Sequence, residues 1–150
     1  MYVNSYEKNI ERKCDICDKI VMVDQFGNGR CKHCGWANDD DAPFFPDEVG
    51  YPNMVAFNRA KTLVAEGKPL KPTLEEFIEA YEHWGEMEFY YEGRRYGIIT
   101  LDEIKFYQWK TEGTIQSFKT IEDFAKEAHI SGRLVKDIWD GVEDAFYIRG

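Results

Sequence analysis

The chain has 150 residues, 43% of them hydrophobic and 15% aromatic, and a net charge of −9. That apolar content suffices for a sizeable core and excludes general disorder. The absence of any run of about 18 apolar residues excludes a bilayer-spanning helix.

The charge is uneven. Residues 1–37 hold six Lys/Arg against five Asp/Glu, whereas residues 38–150 hold thirteen against twenty-three. The acidic part disfavours nucleic acid and anionic membrane and favours a basic partner. Residues 1–13 are polar and lack a signal-peptide core. With every cysteine in a metal-type pair, the expected compartment is the reducing cytoplasm.

Residues 1–12 read as a short leader. Cys14, Cys17, Cys31 and Cys34 then form two Cys-x-x-Cys pairs separated by thirteen residues. Four soft sulfur ligands at that spacing suit one tetrahedral Zn²⁺, less often iron. Paired disulfides fit poorly with a reducing compartment, and a redox pair would open a helix in a βαβ setting that is missing. A complete Cys₄ set leaves no open coordination position, so the expected cofactor is a single structural zinc ion. Between the pairs, residues 19–23 are β-prone, residues 25–29 turn with two glycines, and residues 30–32 return. Gly35 directly after Cys34 lets backbone N–H groups turn toward the sulfurs.

Residues 38–52 contain three prolines and five acids and read as an extended acidic linker, pinned by Phe44 and Phe45. A first helix follows, capped by Asn53, with Ala56, Phe57, Ala60, Leu63 and Val64 on one stripe and Gly67 as its stop. A second begins at Thr73, which has capping-box spacing to Glu76. Leu74, Phe77, Ile78, Tyr81 and Trp84 form its apolar face, and Gly85 ends it.

Period-two patterning starts at Glu86. Met87, Phe89 and Tyr91 point inward, while Glu86, Glu88 and Glu92 make an acidic outer face. Turns at Glu92-Gly93, at residues 101–103 and at residues 111–113 divide four strands, an antiparallel meander. Thr120 caps a helix over residues 121–128. After a turn at Ser131-Gly132, Leu134, Val135, Ile138, Trp139, Val142 and Phe146 form one more helical stripe, weakened by Gly141. The expected fold is α+β: an N-terminal Cys₄ zinc ribbon followed by two helices, a four-stranded antiparallel meander and C-terminal helices. The expected domains are 1–37 (leader and ribbon), 38–52 (linker) and 53–150 (acidic α+β domain).

Glu75, Glu79 and Glu82 share one face of the second helix, and the adjoining strand adds Glu86 and Glu88. These five are the candidate partner-binding residues, read as a surface that docks a basic protein. The ribbon cations Arg12, Lys13, Lys19, Arg30 and Lys32 are matched by Glu11, Asp15, Asp18 and Asp24, so no basic stripe is formed. His33 and Trp36 could stack on a base, but a hydrophobic residue closing a knuckle is the commoner role. Tyr90, Tyr96, Tyr107 and Trp109 could form a stacking platform, against which the glutamates argue. His83 and His129 have no nucleophile at a telling spacing. Gly27-Asn-Gly29 precedes no helix, so no phosphate loop or small-molecule substrate is indicated. No catalytic residue is assigned.

The Cys-Lys-His-Cys-Gly-Trp end of the ribbon with its acidic tail resembles the cysteine-rich headpiece of small bacterial proteins that begin Cys-Pro-x-Cys, with Asp15 here in the proline's place. Tyr51-Pro-Asn-Met-Val-Ala-Phe-Asn-Arg-Ala is similar to the segment that follows such headpieces. Glu88-Phe-Tyr-Tyr-Glu-Gly-Arg-Arg-Tyr-Gly, with Ile121-Glu-Asp-Phe and Leu134-Val-Lys-Asp-Ile-Trp-Asp, resembles short acidic bacterial and phage-borne proteins. The resemblance implies a non-enzymatic accessory protein of the toxin-immunity or inhibitor kind. The alternative is a zinc-ribbon protein that binds nucleic acid or assists transcription, through Arg30, Lys32 and Trp36.

Overall fold

A computed structural model describes residues 10–50 and 52–147, so nine residues of the expected leader lie outside it. The chain divides into two compact units between Leu70 and Lys71.

The first unit opens with strands β1 (Ile10–Lys13) and β2 (Ile20–Val23), paired antiparallel with Ile10 opposite Val23 and Lys13 opposite Ile20. Residues 10–12, expected in the leader, are thus part of a hairpin. Helix α1 (Phe57–Ala65) ends in a Schellman motif, with Gly67 N donating to Val64 O and Lys68 N to Leu63 O. Gly67 is left-handed (φ 71°), as this motif requires.

Two expectations for this region are corrected. Asn53 does not cap α1. It is buried, and its side chain accepts from Ala37 N at 2.9 Å and donates to Ala37 O at 2.7 Å, while Ala56 occupies the cap position without a side-chain bond. Residues 38–50 are not an extended linker. Asn38 N donates to Gly29 O at 2.7 Å, Arg12 pairs with Asp40 at 2.6 Å, and a short 3₁₀ turn spans Ala42–Phe44. Phe44 and Phe45 pin nothing, being 79% and 56% exposed; Val49, Met54 and Val55 are buried instead.

The reason is core size. A ribbon of this length has too few apolar residues for a core of its own. Val21, Val23 and Trp36 therefore join Val55, Phe57 and Ala60 in one cluster with Cys14 and Cys31, and Trp36 meets Phe57 edge-on at 5.9 Å. That packing moves α1 out of the expected 53–150 domain and into the first unit.

The second unit begins with α2 (Leu74–Trp84), where Thr73 and Glu76 form the reciprocal capping box and Gly85 closes the helix at φ 72°. Leu74, Phe77 and Tyr81 are buried; Trp84 is 46% exposed. The strands β3 (Glu86–Tyr91), β4 (Arg94–Thr100), β5 (Ile104–Gln108) and β6 (Gln116–Phe118) form the meander. Helix α3 (Ile121–Glu127) follows, with Thr120 Oγ1 accepting from Asp123 N at 3.1 Å. The hairpin β7 (His129–Ile130) and β8 (Arg133–Leu134) turns through Ser131 and Gly132, both left-handed, as are Glu92 and Gly93 between β3 and β4.

The final stripe is not one helix. Only α4 (Val135–Ile138) and a 3₁₀ turn (Trp139–Gly141) are helical, and the chain then becomes strand β9 (Val142–Tyr147). Strand β9 pairs antiparallel with β3, so the sheet has five strands in the order β6-β5-β4-β3-β9. A bulge at left-handed Asp144 adjusts its register. The open backbone edge of β3 explains the outcome, since pairing satisfies N–H and C=O groups that a longer helix would leave bare.

Helices cover one sheet face with aromatic rings. Phe89, Tyr96 and Phe106 stack across three strands at 5.7–5.9 Å. Phe77 and Trp139 close over Phe89, while Phe124 closes over Phe106 and Phe118. Trp139 Nε1 donates to Pro72 O at 2.9 Å. On the other face, Glu88 is only 2% exposed and ion-paired with Arg95, whose guanidinium lies 4.3 Å from the Trp109 ring centre.

Phe77, fully buried between Phe89 and Trp139, is expected to cost about 3–5 kcal/mol as Phe77→Ala in urea denaturation. Arg95→Met strands the Glu88 carboxylate and lowers the midpoint. Adding Glu88→Gln recovers most of that loss, because no buried charge is left unpaired.

Candidate metal centre

Cys14 and Cys17 lie on the turn between β1 and β2, and Cys31 and Cys34 lie on a second turn closed by the Arg30–Ala37 bridge. The two turns have the same construction. Cys14 N donates to Lys19 O at 2.7 Å and Asp18 N to Cys14 O at 3.0 Å; Cys31 N donates to Trp36 O at 2.9 Å and Gly35 N to Cys31 O at 2.9 Å. In each, the residue after the second cysteine is left-handed, Asp18 at φ 62° and Gly35 at φ 85°.

The four sulfurs lie within 4.8 Å of one another. Cys14 Sγ is 3.6 Å from Cys34 Sγ, and Cys17 Sγ is 3.5 Å from Cys31 Sγ. A disulfide would require about 2.05 Å, and all four cysteines are free. Zn–S bonds of about 2.3 Å place tetrahedral sulfurs roughly 3.8 Å apart, so the cluster matches one four-coordinate ion. The group contains the four cysteines and not His33, which is exposed.

Backbone donors converge on the sulfurs. Burial raises the Cys14 thiol, against N–H groups of Cys17 and Ile16. Burial also opposes ionisation of Cys31, but N–H donors from Cys34 and His33, with the neighbouring thiols, bring it down to about 7. Cys34 is raised by burial and then by the adjoining Cys14 and Cys31 sulfurs, although Trp36 N–H opposes this. Crowded thiols cannot all ionise unaided. A cation at their centre would favour the thiolate form of all four.

The remaining candidates are dispersed. Trp36 is 2% exposed and seals the cluster, so its ring presents no stacking face, and Arg30 Nη1 donates to Gly35 O at 2.6 Å. Lys32 is exposed. In the second unit, Glu75 and Glu82 are exposed and Glu79 and Glu86 partly so. Glu88 is removed from the acidic face by its burial and its pairing with Arg95. Tyr96 belongs to the core, and Tyr90 and Tyr107 are half-buried, so no continuous aromatic platform forms.

Asp18 is the counterpart of Gly35, standing after Cys17 as Gly35 stands after Cys34, and this repeat is legible in the sequence. Asn53 as a tether for Ala37 had no local signal, because its partner is sixteen residues away.

No family model, curated protein or solved structure matches the chain. Among the described residues no helix is long and apolar enough to cross a membrane.

The matching knuckles predict an unequal response at Gly35. Gly35→Asn, which tolerates the left-handed region as Asp18 does, is expected to retain metal with little loss. Gly35→Val is expected to cost about 1–2 kcal/mol and to release metal at lower chelator concentration in a competition titration.

Proposed function

We propose that the chain is a non-enzymatic zinc protein that binds a basic protein partner through an acidic surface, as a toxin-immunity or inhibitor protein. The observation that carries the metal part is the convergence of four free sulfurs within 4.8 Å on two matching turns. Zn²⁺ suits four thiolates, and four thiolates fill its tetrahedron, leaving no position for water or substrate. In this reading the ribbon's ion contributes on the order of 10 kcal/mol to folding.

Charge supports the partner part. Residues 71–150 hold seventeen Asp/Glu against ten Lys/Arg. Glu75, Glu79, Glu82 and Glu86 form the acidic surface on α2 and the start of β3, without Glu88. The resemblance to short acidic bacterial and phage-borne proteins supports the immunity or inhibitor role. Nucleic-acid binding by the ribbon is the weaker reading, since Trp36 is buried and offers no stacking face.

Elemental analysis of the purified protein is expected to give about one zinc per chain; a metal-free folded protein would refute the ribbon reading. A basic protein retained from native lysate and released by salt is expected to bind about tenfold more weakly to a Glu75→Lys/Glu79→Lys/Glu82→Lys/Glu86→Lys variant. Unchanged binding would remove this surface as the contact.

A further inference from the structure

We infer that residues 39–48 form a docking element whose Phe44 and Phe45 enter an apolar cleft rimmed by Lys and Arg on a basic protein. This rests on the reading of the chain as a binding protein but places a contact in the first unit rather than on α2.

Single exposed apolar residues are ordinary on a protein surface. Here two adjacent phenylalanines are 79% and 56% exposed on a backbone that is held in place. Phe44 N donates to Asp41 O at 3.0 Å, Phe45 N to Ala42 O at 3.1 Å, and Glu48 N to Phe45 O at 3.1 Å. Both ends are tied to the unit. Asn38 N bonds Gly29 O at 2.7 Å, and Asn58 bonds Pro46 O through its backbone and Asp47 Oδ1 through its side chain, at 2.9 and 3.0 Å. Pro43 and Pro46 restrict the segment further. The rings are therefore presented on a preorganised turn, which lowers the ordering cost of insertion, and aromatic anchors of this kind dominate binding energies at interfaces. A third exposed phenylalanine, Phe26 (76%), sits on the adjoining hairpin turn, which Asn38 Nδ2 ties to this segment through Gly27 O at 2.7 Å.

Charge identifies the occupant. Asp39, Asp40, Asp41, Asp47 and Glu48 flank the rings, and no Lys or Arg occurs between Lys32 and Arg59. Arg12 offsets Asp40 alone among the described ion pairs of this segment. An anionic lipid surface, a nucleic acid and a second copy of a chain of charge −9 are all repelled by such a rim. A basic protein cleft with an apolar floor complements it.

The test is a phage-displayed library of cyclic peptides selected on the zinc-loaded full chain. Enriched peptides are expected to combine Lys or Arg with apolar residues. Their binding is expected to fall at least about tenfold for Phe44→Ser/Phe45→Ser and for Asp39→Asn/Asp41→Asn/Asp47→Asn. The charge-reversed α2 variant is expected to lose less of this binding than either of these two variants. Zinc content and far-ultraviolet circular dichroism show that the variants keep the fold. The inference is overturned if no peptide is enriched, if enriched peptides lack basic residues, or if they bind the serine variant equally. Loss of binding only in the α2 variant would overturn it while leaving the α2 surface as the contact. A dimer in sedimentation that Phe44→Ser/Phe45→Ser dissolves would make a second copy the occupant and overturn it as well.

Discussion

Four free cysteine sulfurs from two turns converge within 4.8 Å of one another, and the first unit is built around them. The two turns that carry them repeat the same backbone hydrogen bonds and the same left-handed residue, so each presents its pair of sulfurs in the same way. Burial opposes ionisation of Cys14 and Cys34, whereas backbone N–H donors and the neighbouring thiols bring Cys31 down to about 7. A cation of the proposed kind would favour the thiolates by charge and coordination together. Trp36 then seals the arrangement and links it to α1 through Phe57.

The second unit is stabilised differently. Its sheet carries a row of stacked rings, and α2, α3 and the C-terminal turns close over that row with further aromatic side chains. No metal-ligating cluster is present among its described residues. The buried Glu88 is the exception on the opposite face, ion-paired with Arg95, which in turn rests on Trp109. Such a pair contributes little net stability but makes one strand register strongly preferable, because a slip would bury a lone charge.

The two units also carry their acid differently. In the second it is distributed over helix and strand surfaces; in the first it is concentrated around two exposed phenylalanines. A protein whose proposed role is to occupy a basic partner could use both surfaces. The distributed charge would accelerate encounter and the aromatic anchors would slow release.

Local patterns determined much of this protein. The Cys-x-x-Cys pairs, the Thr73–Glu76 capping box, the stops at Gly67 and Gly85 and the hairpin turn at Glu92-Gly93 each depend on residues a few positions apart, and their chemistry is legible at that range. The tertiary structure decided what depended on distant partners. The stripe from Val135 to Phe146 has helical spacing, yet the open edge of β3 draws Val142 and its successors into a strand. Glu88 alternates as an outer residue should, yet Arg95 and the surrounding side chains bury it. Asn53 has the form of a helix cap, yet its side-chain amide bonds the N–H and C=O of Ala37. The acids and prolines of residues 38–50 suggest a linker, yet a ribbon too small for its own core folds them and α1 into one unit. In every case a hydrogen bond, a charge or an apolar surface had to be satisfied by something far along the chain, and short-range periodicity does not encode that partner.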